Sequence, residues 1–166
     1  MDWVVAIASY QRAKVLKDKT LALLLRYNIS KDLITIFVGN QEEYKEYEQE
    51  FPDIEIVVGV VGLMEQRNFI GNFYPVGKKV VCFDDDLTAL CTLDNGKLVP
   101  LPSLTKLIDD GFKNCEEYKF HLWGISPVAN GFFMKDVIHT DLKFCIGHMW
   151  GVINRRIPLT LCYKED

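Results

Sequence analysis

The sequence has 166 residues, 49% of them hydrophobic and 25% charged, which is a globular composition with enough apolar residues to form a core. The formal net charge is -4 and no face rich in lysine and arginine stands out, which argues against a nucleic-acid partner. The apolar runs are too short for a membrane span or a signal peptide, and none of the five cysteines lies in a CxxC pair. We therefore expect reduced thiols and a cytoplasmic protein.

The first half of the chain predicts alternating strands and helices. The predicted strands are the apolar runs at residues 3–8, 33–38, 54–61 and 80–83. The predicted helices between them are residues 13–27, residues 41–50 and a stretch that begins after Gly62. Because residues 41–50 are rich in glutamate and tyrosine, we expect that helix to be exposed.

This βαβ alternation predicts an α/β fold with a Rossmann-like, mostly parallel sheet flanked by helices. Residues 1–86 would form its nucleotide-binding half. The sequence has no GxGxxG motif after the first strand and no GxxxxGK[ST] motif, which argues against a dinucleotide dehydrogenase and a P-loop NTPase.

The second half is less regular and predicts a smaller, mixed β half with one helix. Residues 94–96 (DNG) are a turn signal that predicts a hairpin, and Ser103 is placed to cap the following helix. Further strands are predicted near residues 120–125, within 142–153 and from 159 onward. We find no internal repeat or linker and expect residues 1–166 to form a single domain.

Three consecutive carboxylates, Asp84, Asp85 and Asp86, follow the fourth predicted strand directly. Ligands of open α/β sheets bind at the carboxyl ends of the strands. Adjacent carboxylates repel one another, and a divalent cation with oxygen ligands would offset that cost. Because alternate residues of an extended segment point the same way, Asp84 and Asp86 can converge on one ion while Asp85 points elsewhere. The triplet predicts a metal or nucleotide site, and a solvated turn is the alternative.

Four segments, in this order and spacing, resemble the GT-A glycosyltransferases, in which a nucleotide-sugar-binding half ends in a DxD motif. The segments are residues 7–12 (IASYQR), 62–68 (GLMEQRN), 83–86 (FDDD) and 164–166 (KED). Three further stretches resemble a small subfamily from large DNA viruses and phages, which would place the protein in the host cytoplasm and in viral glycosylation. These stretches are residues 124–130, 140–143 and 150–155.

The resemblance implies a metal-dependent glycosyltransferase of the GT-A fold, which moves a hexose-type sugar from a nucleoside diphosphate, expected to be UDP. It implies Mn²⁺ or Mg²⁺ bound by Asp86 and Asp84, with His148 as a further ligand. The glycines on either side of the His148 segment would permit close backbone approach. The implied donor-binding residues are Ser9, Tyr10, Arg12, Asn40, Arg67, Asn68, Asp84 and Asp85.

The resemblance also makes residues 87–166 the half that binds a glycan or glycoprotein acceptor. In inverting members of the family a carboxylate acts as general base on the acceptor hydroxyl. Here Asp166 is the positional match, Glu165 is its neighbour and Asp141 is a rival. The implied acceptor-binding residues are Trp123, Asn130 and Trp150. Members of the family continue into a helix after this point, so we expect the chain to be a fragment or a domain of a longer protein.

Two other functions fit the sequence less well. A nucleotidyltransferase can also use carboxylates on an α/β sheet, but it favours a phosphate loop rich in glycine and lysine, which residues 9–12 do not supply. A metal-binding or sugar-binding module without catalytic activity would bind the same ligands without turnover.

Overall fold

The computed structural model describes residues 1–132, 134, 135, 137–141 and 147–160. The strands are β1 (Trp3–Ala8), β2 (Ile34–Val38), β3 (Glu55–Val58), β4 (Lys79–Phe83), β5 (Cys91–Asp94), β6 (Lys97–Pro100), β7 (Leu122–Gly124) and β8 (Met149–Ile153). The α-helices are α1 (Ala13–Leu16), α2 (Ala22–Arg26), α3 (Gln41–Glu50), α4 (Leu63–Phe73) and α5 (Leu104–Tyr118). A π-helical segment, Lys17–Leu21, joins α1 to α2, and a 3₁₀ turn, Lys31–Leu33, precedes β2.

A mostly parallel sheet of six strands, with the order β3-β2-β1-β4-β8-β7, forms the centre of the molecule. The first four strands are parallel to one another, β8 runs antiparallel to β4, and β7 runs antiparallel to β8. The hairpin β5-β6 forms a separate antiparallel sheet. The predicted α/β class and its four parallel strands are therefore confirmed.

Helices cover both faces of the sheet. On one face, α1, α2, α3 and α5 pack on side chains such as Val5 and Ile7 of β1. On the other face, α4 packs through Ile70 on alternate residues, including Ala6. At β8, beyond β4, Val152 is only partly buried on this second face. The face is therefore incompletely covered there. Among the described residues, we find no helix of the length and apolarity that crossing a membrane requires.

The first helix is present where the sequence predicts it, but it is not uniform. Its middle turn is π-helical, and that turn contains Thr20, which is completely buried. After α2, Asn28 adopts the left-handed conformation at φ 58°, which is a common way for a helix to end.

Two predictions about the second and third βα units are wrong in part. The helix at 41–50 has the predicted bounds but is not simply exposed, because Tyr47 is completely buried and Glu43 is 5% exposed. The third strand ends at Val58 and not at residue 61. After it, the Gly59 amide still bonds to β2, whereas the Val60 amide donates to a side chain of α4. The strand predicted from residue 159 onward lies largely outside the described residues.

Candidate metal site

The candidate site lies where the strand order of the sheet reverses. From β1 the chain adds β2 and β3 on one side, and β4 is added on the other side. The crevice beyond the carboxyl ends of β1 and β4 is therefore the topological switch point at which open α/β sheets bind ligands. The loop after β1 supplies Ser9 and Arg12, and the turn after β4 supplies Asp84, Asp85 and Asp86.

The antiparallel pairing of β4 with β8 brings His148 to the carboxylates. Phe83 is opposite Met149, so the next residues along, Asp84 and His148, also face each other. The Asp84 amide donates to the His148 carbonyl oxygen at 2.9 Å, and His148 Nδ1 lies 2.9 Å from Asp84 Oδ2. The strand register therefore positions an imidazole, from 64 residues along the chain, beside the first carboxylate of the triplet.

Asp84, Asp86 and His148 each offer one ligand atom, and these atoms lie within 4.8 Å of one another. Neighbouring ligands of an ion bound at about 2.1 Å lie roughly 3 Å apart, which the Asp84–His148 spacing of 2.9 Å fits. Two carboxylates and an imidazole form a mixed oxygen and nitrogen donor set. This set suits Mn²⁺ better than it suits Mg²⁺, because Mg²⁺ prefers sites in which every ligand is an oxygen. The three residues predicted as metal ligands thus form one group that could hold a divalent ion.

Asp85 points away from this group, as the alternation of an extended segment predicts. Its side chain is 7% exposed, and both of its oxygens have partners. Arg12 Nη1 lies 2.9 Å from Oδ1, and the Ser9 hydroxyl donates to Oδ2 at 2.8 Å. Burial raises the pKa of Asp85, while the Ser9 hydrogen bond and the charge of Arg12 oppose that rise. These contacts with Arg12 and Ser9 therefore fix the position of Asp85.

Arg12 connects the second and third carboxylates. Its other terminal nitrogen, Nη2, lies 3.0 Å from Asp86 Oδ2. The hydrogen bond to Asp86, and then the charge of Asp85, raise the pKa of the Arg12 guanidinium. The Arg12 amide donates to the hydroxyl of Tyr47 at 3.1 Å, and this hydroxyl also lies 2.7 Å from Ser9 Oγ. The buried tyrosine of α3 thus holds the loop that carries Ser9 and Arg12.

Thr20, in the π-helical segment, supports the backbone of the triplet through two hydrogen bonds. Its hydroxyl donates to the Asp84 carbonyl oxygen at 2.7 Å and accepts from the Leu87 amide at 2.9 Å. Short π-helical segments are rare and often occur at functional sites. Thr20 was not among the predicted site residues, because a threonine that follows three charged residues gives no signal that its hydroxyl will be buried.

Two buried polar side chains hold the remaining loops at this edge of the sheet. Glu43 accepts from the amides of Gln11 and Gly39, at 2.9 Å and 2.7 Å, and so ties the loop after β1 to the loop after β2. Gln66 accepts from the Val60 amide at 2.8 Å and donates to β2 at 3.2 Å. Neither Glu43 nor Gln66 was predicted as a site residue. For Glu43 a signal was present, because residues four apart lie on the same face of a helix, and Tyr47 on that face is buried.

A cavity of about 850 Å³ opens beside the carboxylates and extends along the face of the sheet next to α4. Its volume is in the range of pockets that hold small molecules. Its apolar wall includes Ile70 and Val152. Of the residues predicted to bind donor, acceptor or metal, those that line it are Ser9, Tyr10, Arg12, Arg67, Asn68, Asp84, Asp85, Asp86, His148 and Trp150.

Other predicted site residues do not line this cavity. Asn40 caps α3, because its side chain accepts from the amides of two residues in the first turn of that helix. Trp123 lies on the opposite face of the sheet, where its ring meets Phe112 of α5 edge-on at 5.7 Å. Asn130 and Asp141 are exposed and lie apart from the triplet's cavity. The predicted base Asp166 and its neighbour Glu165 lie outside the described residues.

In comparisons with known proteins, no family model matches the chain and no curated protein sequence matches it. What the chain does must therefore be inferred from its own residues.

Proposed function

We propose that the chain is a metal-dependent glycosyltransferase of the GT-A type. It would move a hexose-type sugar from a nucleoside diphosphate, expected to be UDP, to a glycan or glycoprotein acceptor. The observation that supports this proposal is the group formed by Asp84, Asp86 and His148. The group lies at the switch point of the sheet and beside a cavity of about 850 Å³.

The proposed roles follow from what each side chain contacts. Asp84, Asp86 and His148 would hold Mn²⁺ or Mg²⁺, and the bound ion would offset the charge that develops on a departing diphosphate. Tyr10 and Arg67 also line the cavity and would contact the base and the phosphates of the donor.

Asp85 takes a different role from the one that the resemblance implies. Because Asp85 is only 7% exposed and its oxygens contact Arg12 and Ser9, we assign it to positioning these two residues. This role does not require Asp85 to change protonation or to contact the donor.

The acceptor would enter on the side of the cavity that Trp150 lines. The general base remains a proposal among Asp166, Glu165 and Asp141. In the described residues, Asp141 is exposed and its Oδ1 lies 3.6 Å from Nδ1 of His139, away from the carboxylate triplet. We propose that the reaction takes place in the cytoplasm, and in that of an infected host if the viral resemblance holds.

The test is product analysis with a panel of UDP-sugars and Mn²⁺. We expect release of UDP in the presence of metal and none in EDTA. Asp86→Ala should abolish UDP release, whereas Asp53→Ala, at an exposed carboxylate that pairs with Lys31, should leave it unchanged. Release of pyrophosphate from nucleoside triphosphates would instead support a nucleotidyltransferase. Full activity of Asp86→Ala would contradict the proposed metal site.

A further inference from the structure

We propose that Arg12 is an internal cation that shares Asp86 with the divalent ion and releases this carboxylate when the ion binds. The inference rests on the metal site of the proposed function, and it adds a residue that sets how tightly that site binds its ion. Arg12 would thereby keep the metal-free site intact and limit its affinity for metal.

The geometry of the guanidinium supports a shared role. Nη1 lies 2.9 Å from Asp85 Oδ1, and Nη2 lies 3.0 Å from Asp86 Oδ2, so one side chain bridges two adjacent carboxylates. A planar guanidinium is suited to such paired contacts, whereas a lysine ammonium acts as a point charge. Asp86 is also one of the three residues that could hold the metal ion. Asp86 is therefore in contact with one cation and placed to bind another.

The two halves of this bridge differ in their exposure to water. The Asp85 side chain is 7% exposed and has a second hydrogen bond from Ser9. The Asp86 side chain is 35% exposed. A buried carboxylate that loses its counter-ion is left with a large desolvation cost, whereas an exposed ion pair contributes little and exchanges easily. The contact that an incoming ion would replace is therefore the contact between Arg12 and Asp86.

The backbone of Arg12 is held independently of this exchange. Its amide donates to the Tyr47 hydroxyl at 3.1 Å, and its carbonyl oxygen accepts from the Leu16 amide at 2.9 Å at the start of α1. The guanidinium is held by Asp85 while 46% of the side chain is exposed. Arg12 can therefore move away from Asp86 by a change in its side chain alone, without unfolding the loop.

The formal charges explain why such a residue is useful. The three carboxylates of the triplet carry -3, and Arg12 reduces this to -2, which a divalent ion would neutralise. Without metal, Arg12 offsets part of the repulsion within the triplet. With metal bound, Arg12 becomes a like charge a few ångströms from the ion, and this repulsion corresponds to about a tenfold loss of affinity even at the dielectric constant of water.

The test is to measure Mn²⁺ affinity in the absence of nucleotide, by calorimetry or by electron paramagnetic resonance of the free ion. We expect Arg12→Met to bind Mn²⁺ about tenfold more tightly than the wild type. In EDTA the same variant should melt at a lower temperature, and saturating Mn²⁺ should restore more of its stability than the wild type gains. The control is Arg26→Met, which removes an exposed arginine that donates to the Thr88 carbonyl oxygen; its Mn²⁺ affinity should be unchanged.

Arg12→Gln is the second variant, because it removes the charge but keeps a donor for Asp85, and it should also bind Mn²⁺ more tightly. If the wild type binds Mn²⁺ and neither folded variant binds it more tightly, the role proposed for Arg12 is wrong and the metal site stands. If neither the wild type nor either variant binds Mn²⁺, the metal site itself is wrong, and the proposed function falls with it.

Discussion

Replacement of Thr20 by valine tests how the π-helical segment supports the carboxylate triplet. The threonine hydroxyl is the partner of two backbone groups, the carbonyl of Asp84 at 2.7 Å and the amide of Leu87 at 2.9 Å. Valine has nearly the same shape, so Thr20→Val removes both hydrogen bonds without opening a cavity. Because Thr20 is completely buried, water cannot replace the lost partner.

The expected cost can be estimated from the two orphaned groups. A buried donor or acceptor that loses its hydrogen-bond partner costs about 1–3 kcal/mol. The Asp84 carbonyl is only partly buried, so we expect a total loss of about 2–4 kcal/mol in the free energy of unfolding. For a chain of this length that loss corresponds to a fall in Tm of roughly 5–15 °C.

Urea unfolding gives the stability, and titration with Mn²⁺ gives the effect on the site. We expect Thr20→Val also to weaken Mn²⁺ binding, because the turn that carries Asp84 and Asp86 loses its support. Thr20→Ser is the matched control, since it keeps the hydroxyl and loses one methyl group, at a cost of about 1 kcal/mol. Stability of Thr20→Val equal to that of Thr20→Ser would refute the support attributed to this hydroxyl.

Three further predictions concern the rest of the fold. Burial raises the pKa of Tyr74 to about 12, above its ordinary value of 10.0, so stability should be intact below pH 10 and fall between pH 10 and 12. Tyr74→Phe should reduce this loss of unfolding free energy by up to about 1.4 kcal/mol per pH unit, as measured by urea unfolding. An equal loss per pH unit in the variant and in the wild type would contradict the effect assigned to Tyr74. Gly151→Ala would place a Cβ in steric conflict with the Trp123 ring and should cost about 1–3 kcal/mol; an unaltered melting temperature would contradict this packing. Asn154→Ala removes an amide that donates at 2.8 Å to the carbonyls of Gly71 and Tyr74. We expect it to lower the free energy of unfolding by about 2–4 kcal/mol in a denaturant titration. A loss under about 0.5 kcal/mol would show that the two hydrogen bonds are dispensable.

The parallel strands could be predicted because each is a short apolar run. Polar residues directly follow β1 and β4, whereas the apolar run that contains β3 continues to Val61, so the end of that strand was predicted wrongly. The alternation along an extended segment was sufficient to separate Asp85 from Asp84 and Asp86. Both inferences use only neighbouring residues, where the side-chain period is set by the backbone itself. The bounds of α3, Gln41–Glu50, were predicted correctly from a run rich in glutamate and tyrosine that ends before Pro52, whereas the capping role of Asn40 was not predicted.

The contacts that assemble the site could not be predicted in this way. The sequence offered His148 as a candidate, but its contact with Asp84 depends on the register between β4 and β8, strands that are distant along the chain. The burial of Thr20 depends on a local change from α-helix to π-helix. The burial of Glu43 depends on two loop amides that it binds across the edge of the sheet. The contact of His148 and the burial of Thr20 and Glu43 each depend on distant residues or on a local backbone conformation. Residue type alone does not predict them.

Metal-dependent binding of nucleotide is the most direct consequence of the proposed site. Isothermal titration of UDP into the protein, with Mn²⁺ and separately with EDTA, measures this. We predict binding of UDP with Mn²⁺, loss of that binding in EDTA, and loss of it in Asp86→Ala with Mn²⁺ present. Equal binding of UDP with and without metal, or no binding in either condition, would contradict the account.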